Sequence, residues 1–176
     1  MVYSIVTAFL RLVTKVFFRQ IEVVGQHHIP QDQPVIFVGN HPNSLLDPVM
    51  IITNGTRRIS FAAKDTLFQY LPLRIIFSAL GAVPIRRKQD HQNTNKLDNT
   101  TAFDALFEVL KKNGCMGIFP EGISHNESQL APFKTGPARL ALGSANETTE
   151  PVYIVPCGLF YSNPGRFRSS TMPANG

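Results

Sequence analysis

The chain has 176 residues, is 43% hydrophobic and 16% charged, and carries a formal net charge of +5. That length suits one domain with a core that needs neither disulfide nor metal, and that balance excludes a disordered chain. A basic surplus suits anionic partners (phospholipid headgroups, phosphorylated small molecules, nucleic acid) or a merely solvated surface.

From Val2 to Phe18 the sequence is apolar and aromatic, but Arg11 and Lys15 interrupt it and Arg19 closes it. No run of about 18 uncharged residues remains, which argues against a spanning helix, and the charge order is not that of a secretory signal. Spaced by four, Arg11, Lys15 and Arg19 share one helix face. Residues 1–19 are therefore expected as an amphipathic helix in a membrane interface, with a core-packing helix as the alternative.

Residues 20–25 read as a short strand, and 26–33 as a polar turn. Pro34 to Val38 is a continuous apolar run ending in Gly39-Asn40, the pattern of a buried strand. A helix over 44–53, a strand over 58–63 and an apolar helix over 64–80, kinked at Pro72, come next. Then follow a strand over 81–86, a helix over 93–113 stopped by Gly114, and a strand over 115–119. Residues 134–145 read as a helix and 152–159 as a strand. The alternation predicts a single α/β domain over 20–160, with a mostly parallel central sheet flanked by helices. Residues 161–176 are expected as an irregular tail, as in a truncated product. Cys115 and Cys157 lie in apolar runs and read as buried free thiols, in keeping with a reducing, cytosol-facing location. No Cys/His spacing fits a zinc site, and no metal or bound cofactor is implied.

In parallel sheets, sites gather beyond the carboxyl ends of strands. Three polar segments fall there. In the first, Asn40-His41-Pro42-Asn43-Ser44-Leu45-Leu46-Asp47, an imidazole follows a buried strand and a carboxylate comes six positions later. Such a pair is either a general base with its orienting acid, or a turn histidine and a helix cap. The second, Ile85-Arg86-Arg87-Lys88, is either a phosphate site or a solvated basic loop. The third, Phe119-Pro120-Glu121-Gly122, sets a carboxylate in a tight turn, and Lys134 follows at a predicted helix start. It is either a ligand-binding loop, with Lys134 and the helix N-terminus attracting phosphate, or an ordinary turn.

Taken in order, these blocks resemble the glycerolipid acyltransferase family, the glycerol-3-phosphate and 1-acyl-glycerol-3-phosphate acyltransferases. Asn40-His41 through Asp47 is similar to its His-and-Asp block. Gly81, Ile85 and Arg87 match the second block, Phe119-Pro120-Glu121-Gly122 the third and Val155-Pro156 the fourth, while Phe133-Lys134-Thr135-Gly136 looks like the element after the third. The resemblance covers roughly Ile21 to Leu159.

It implies an O-acyltransferase, with residues 20–160 as the acyltransferase domain. His41 would be the general base, oriented by Asp47. Arg86, Arg87 and Lys134 would bind the acceptor phosphate, and Glu121 and Gly122 would position the acceptor. The partners implied are an acyl-CoA or acyl carrier protein donor, a glycerol-phosphate-type acceptor and a membrane surface. The location implied is peripheral or monotopic on the cytoplasmic face of a membrane. The helix over 67–80 is a candidate lining for the acyl chain, or plain core.

The chain departs from the family pattern in three places, one being that it stops soon after the fourth block, where members usually continue. Five residues, not four, separate His41 from Asp47, and Ile123-Ser124-His125 stands where Thr-Arg-Ser is usual. The competing reading is an inactive or truncated membrane-binding module of the same fold. A thioesterase would use the same base on water. A nucleic-acid-binding domain has only the net charge in its favour, so no nucleic-acid partner is expected.

Overall fold

The computed structural model describes residues 2–86, 100–125, 127, 129–162, 167–168 and 170–172. The main strands are β2 (Val35–Gly39), β3 (Ile59–Lys64), β4 (Val83–Ile85), β5 (Cys115–Ile118) and β6 (Tyr153–Cys157), in the order β4-β3-β5-β2-β6. All four pairings are parallel. The helices are α1 (Val2–Phe17), α2 (Leu46–Asn54), α3 (Leu71–Leu80), α4 (Thr100–Lys111) and α5 (Gly136–Ala145). The expected α/β domain with a parallel sheet is therefore what the chain forms.

Strand β2 is buried on both faces. Val35 and Phe37 join Ile52, Ile59, Phe61 and Leu80 on one side, with Tyr3, Val6 and Leu10 of α1 packed over them. Ile36 joins Leu106, Leu110, Met116 and Leu140 on the other. Alternate residues of an extended strand point to opposite faces, so one apolar run serves both cores. Gly117 of β5 belongs to this packing, because a Cβ there would stand 2.2 Å from the Phe61 ring.

The connection after β2 leads across β5 to β3, while the connection after β5 leads across β2 to β6. The two adjacent central strands thus send their chains in opposite directions. A crevice opens at such a switch point, beyond the carboxyl ends of the strands.

Several boundaries differ from expectation. The apolar stretch over 64–80 divides into a 3-10 turn, Asp65–Gln69, and α3, with Pro72 in the first helical turn, where its missing N–H costs nothing. Gly81 then takes φ 72 and stops α3. Helix α5 starts at Gly136, not Lys134: Pro137 in its first turn has no N–H to return to the Phe133 carbonyl, and the Arg139 N–H binds the Thr135 carbonyl at 2.9 Å. The tail expected to be irregular carries strand structure. β7 (Phe160–Tyr161) pairs antiparallel with β8 (Ser170–Met172), which pairs parallel with β1 (Gln20–Ile21).

Helix α1 also differs in its orientation. Thr14 is buried, and Arg11 Nε donates to the Thr53 carbonyl at 2.9 Å, so one basic residue turns toward α2. The exposed side carries Val2, Ile5, Phe9, Leu12, Val13 and Val16. No described helix is long and apolar enough to cross a membrane.

Candidate active site

The loops after β2 and β5 meet at the switch point. His41 follows β2 and is 7% exposed, with its ring stacked on Phe119 at 3.9 Å between centroids and 4° between planes. Phe119 follows β5 and stacks in turn on Phe61. Asp47, in the first turn of α2, is fully buried. Its Oδ2 lies 2.7 Å from His41 Nδ1 and accepts the Asn43 N–H at 2.7 Å. The Asn43 carbonyl accepts the N–H groups of both Leu46 and Asp47. The turn closed around Asn43 brings the pair together across the five residues between them.

The other carboxylate oxygen, Asp47 Oδ1, accepts the Tyr161 hydroxyl at 2.7 Å. Burial, and then the adjacent Asp47 carboxylate, hold the Tyr161 hydroxyl well above the ordinary phenol range, so it is a neutral donor. Buried charge is tolerated when it is fully hydrogen-bonded, and three donors meet this carboxylate. Sequence reasoning missed Tyr161. It lies five residues beyond the last recognisable block, Val155-Pro156, and an aromatic residue ending an apolar strand normally reads as core.

The third block forms the opposite wall. Glu121 is 2% exposed, and its Oε2 accepts the Ala131 N–H at 2.6 Å and the ring Nε2–H of His125. Burial works against ionisation of Glu121. The Ala131 N–H, the hydrogen bond and charge of His125 and the His41 N–H outweigh it and hold the carboxyl below its usual range. The two loops are also joined directly. The His125 N–H donates to the His41 carbonyl at 3.1 Å, and the Ser44 N–H to Ser124 Oγ at 2.8 Å. Gly122 takes φ 67, and the Lys134 side chain lies over it, Nζ 2.6 Å from where a Cβ would stand. The backbone angle disfavours a side chain there, and one would also displace the flexible end of Lys134.

His41, Asp47, Glu121, Gly122 and Lys134 therefore share one end of the sheet. Arg86 follows β4 at the sheet edge, three strand spacings or roughly 14 Å from β2. Its Nε is 3.9 Å from Asp65 Oδ2. Arg87 lies outside the described residues. No group of three or more His, Cys, Asp or Glu side chains among the described residues is placed to hold a metal.

An apolar cavity of about 450 Å³ is walled by Ile21 to Gln26, by Met50 and Ile51 of α2 and by Val155 to Tyr161; of the residues that touch the buried carboxylate, Tyr161 is the one that lines it. It lies between the segment over 21–29, α2 and the β6–β7 segment, away from the helix over 67–80 that the sequence suggested as a lining. Chemically, an imidazole whose Nδ1–H is held by a carboxylate presents Nε2 as a proton acceptor.

The sequence profile of the acyltransferase family matches residues 20–159. The chain belongs to the acyltransferase family. It is 34% identical to glycerol-3-phosphate O-acyltransferase 2 of Saccharomyces cerevisiae, over 80% of this chain and 15% of that protein. It is 26% identical to glycerol-3-phosphate O-acyltransferase 1 of the same yeast, over 95% of this chain and 33% of that protein. The chain thus spans a third or less of the length of these two relatives. Among smaller family members, the 1-acyl-sn-glycerol-3-phosphate acyltransferase of Borreliella burgdorferi is 25% identical, over 82% of this chain and 52% of that protein. In fold the chain resembles the 1-acyl-sn-glycerophosphate acyltransferase PlsC from Thermotoga maritima, with a TM-score of 0.63 at 22% identity, covering 96% of this chain and 64% of that one.

Proposed function

We propose that the protein transfers a fatty acyl group from acyl-CoA or acyl carrier protein to a hydroxyl of glycerol-3-phosphate or lysophosphatidic acid. The observation that carries this reading is the 2.7 Å pairing of His41 Nδ1 with the buried Asp47, at the switch point of an acyltransferase-family sheet. The names of the family relatives support the acceptor class.

In this reading, His41 Nε2 takes the proton of the acceptor hydroxyl as its oxygen attacks the thioester carbonyl. The tetrahedral oxyanion collapses with cleavage of the carbon–sulfur bond. The departing thiolate takes the proton back from the imidazolium, which Asp47 has stabilised meanwhile. The ester is formed, one thiol is released, and no acyl-enzyme is needed. Lys134 and the cations from Arg86 onward supply charge for phosphate groups. Glu121 acts by holding the loop that carries Gly122 and Lys134. The cavity beside Tyr161 takes the acyl chain.

The exposed apolar face of α1 is proposed to lie in a membrane interface, with Lys15 and Arg19 near the headgroups, on the cytoplasmic face. Both cysteines are free thiols, in keeping with that side.

The test is thiol release from palmitoyl-CoA by the protein on liposomes, with and without glycerol-3-phosphate or its 1-acyl derivative. Acceptor-dependent release, yielding acylated product and lost in His41→Gln, is the expected result. Release that ignores the acceptor would make the protein a thioesterase. No release from palmitoyl-CoA, nor from palmitoyl-acyl carrier protein in a parallel assay, from folded protein, would favour an inactive module.

A further inference from the structure

The residues that connect the two ends of the domain form a closed ring. Asn40, next to the imidazole, holds Leu159 by two side-chain hydrogen bonds. Its Oδ1 accepts the Leu159 N–H at 2.7 Å, and its Nδ2 donates to the Leu159 carbonyl at 2.9 Å. Two residues on, Tyr161 donates to Asp47 Oδ1 at 2.7 Å. Asp47 Oδ2 in turn meets His41 Nδ1 at 2.7 Å, and His41 is bonded to Asn40 through the chain. The Tyr161 ring is part-buried, 5.9 Å from the Phe18 ring, so its hydroxyl is aimed by packing as well as by strand pairing.

We propose that Tyr161 is a positioning residue for acyl transfer: its hydroxyl, placed by the Asn40–Leu159 clamp, fixes the Asp47 carboxylate against His41 and sets the basicity of the imidazole. The proposal rests on His41 being the base.

A carboxylate that accepts a third hydrogen bond shares its negative charge with that donor and attracts the imidazolium proton less. The bond also fixes the rotation of the carboxylate. Neither Asp47 nor the imidazole can then turn, and Nε2 keeps one direction toward the acceptor hydroxyl. Tyr161 also lines the apolar cavity, so an acyl chain seated there touches the same ring that orients the base. The other titratable groups against this pair are Glu121 and His125 on the loop after β5, which engage the His41 backbone.

The test follows the His41 imidazole by NMR titration in the full chain, as wild type, Tyr161→Phe, Asn40→Ala and the double variant. Phenylalanine keeps the ring in place and removes only the hydroxyl. The expected result is a His41 titration at least about half a pH unit higher in Tyr161→Phe. Asn40→Ala should shift it the same way, and the double variant no further than the larger single change. With palmitoyl-CoA and glycerol-3-phosphate, kcat should fall about tenfold or more, with KM for the acceptor unchanged.

An unchanged His41 titration in folded Tyr161→Phe would overturn the proposal, as would additive effects in the double variant. Activity that survives in His41→Gln would instead remove the base assignment. That outcome is independent of the NMR result, which reads the hydrogen-bond ring whether or not transfer occurs.

Discussion

His41 and Asp47 are six positions apart in sequence, yet their side chains meet at 2.7 Å because Asn43 folds the chain between them into a turn. The Asn43 N–H binds the same carboxylate oxygen as the imidazole, so the turn and the pair are one structure. Spacing in a motif thus matters only through the turn it must build.

Asp47→Asn should therefore lower the transfer rate by roughly 10²–10⁴-fold, while KM for both substrates stays within a few-fold. The amide cannot accept from His41, Asn43 and Tyr161 together, so the imidazole loses its orientation. Steady-state kinetics at saturating donor, beside a thermal melt, check this. A rate near wild type would make the pair structural.

Glu121→Gln should destabilise the protein by about 1–3 kcal/mol at neutral pH, since the amide is a poorer partner for His125 and Ala131. The carboxyl is held below its usual value of 4.5. A depressed carboxyl stabilises the fold above its unfolded pKa and loses that contribution as pH falls through the folded value. The gap in Tm between wild type and variant should be complete above about pH 4.5 and close below it. Melts across pH 3–8 measure the gap, and a pH-independent gap would contradict the assignment.

The sheet was legible because its central strands are unbroken apolar runs, and Pro34–Val38 announces a strand buried on both faces. The clustering of His41, Asp47 and Glu121 followed from strand order. What escaped notice depends on distant pairings. Tyr161 finds its partner 114 residues earlier in the chain, and no local pattern marks such a residue. Arg11 shares a helix face with Lys15 and Arg19, but that periodicity cannot show that the Thr53 carbonyl draws it inward. The start of α5 lies later than expected because Pro137 has no N–H with which to bond the Phe133 carbonyl. A tail with little apolar content forms strands because β1 supplies an open edge for β8.

Both cysteines should resist modification in the native state. Burial pushes the Cys157 thiol up to about 11 and raises that of Cys115. At pH 8 the native protein should react with Ellman's reagent about a hundredfold more slowly than a small thiol, and release two equivalents rapidly in guanidinium. Fast reaction of one thiol in the native protein would place it in the open.

Phe9→Asp and Leu12→Asp change side chains that are each 61% exposed on α1. Each should cut co-sedimentation with anionic liposomes severalfold while moving Tm by little, because neither residue belongs to the core. Unchanged sedimentation would mean that this face does not meet the bilayer.

The bonds from Asn40 to Leu159 and from Asp47 to Tyr161 also set an order of assembly. Synthesis delivers β2 and α2 before the hydroxyl that completes the Asp47 shell, which belongs to residue 161. A nascent chain still short of that residue must hold its buried carboxylate incompletely partnered. Contacts spanning more than a hundred residues close late and slowly. The protein therefore completes its reactive centre only after residue 161 has been made, so a half-made base does not form as soon as His41 and Asp47 are in place.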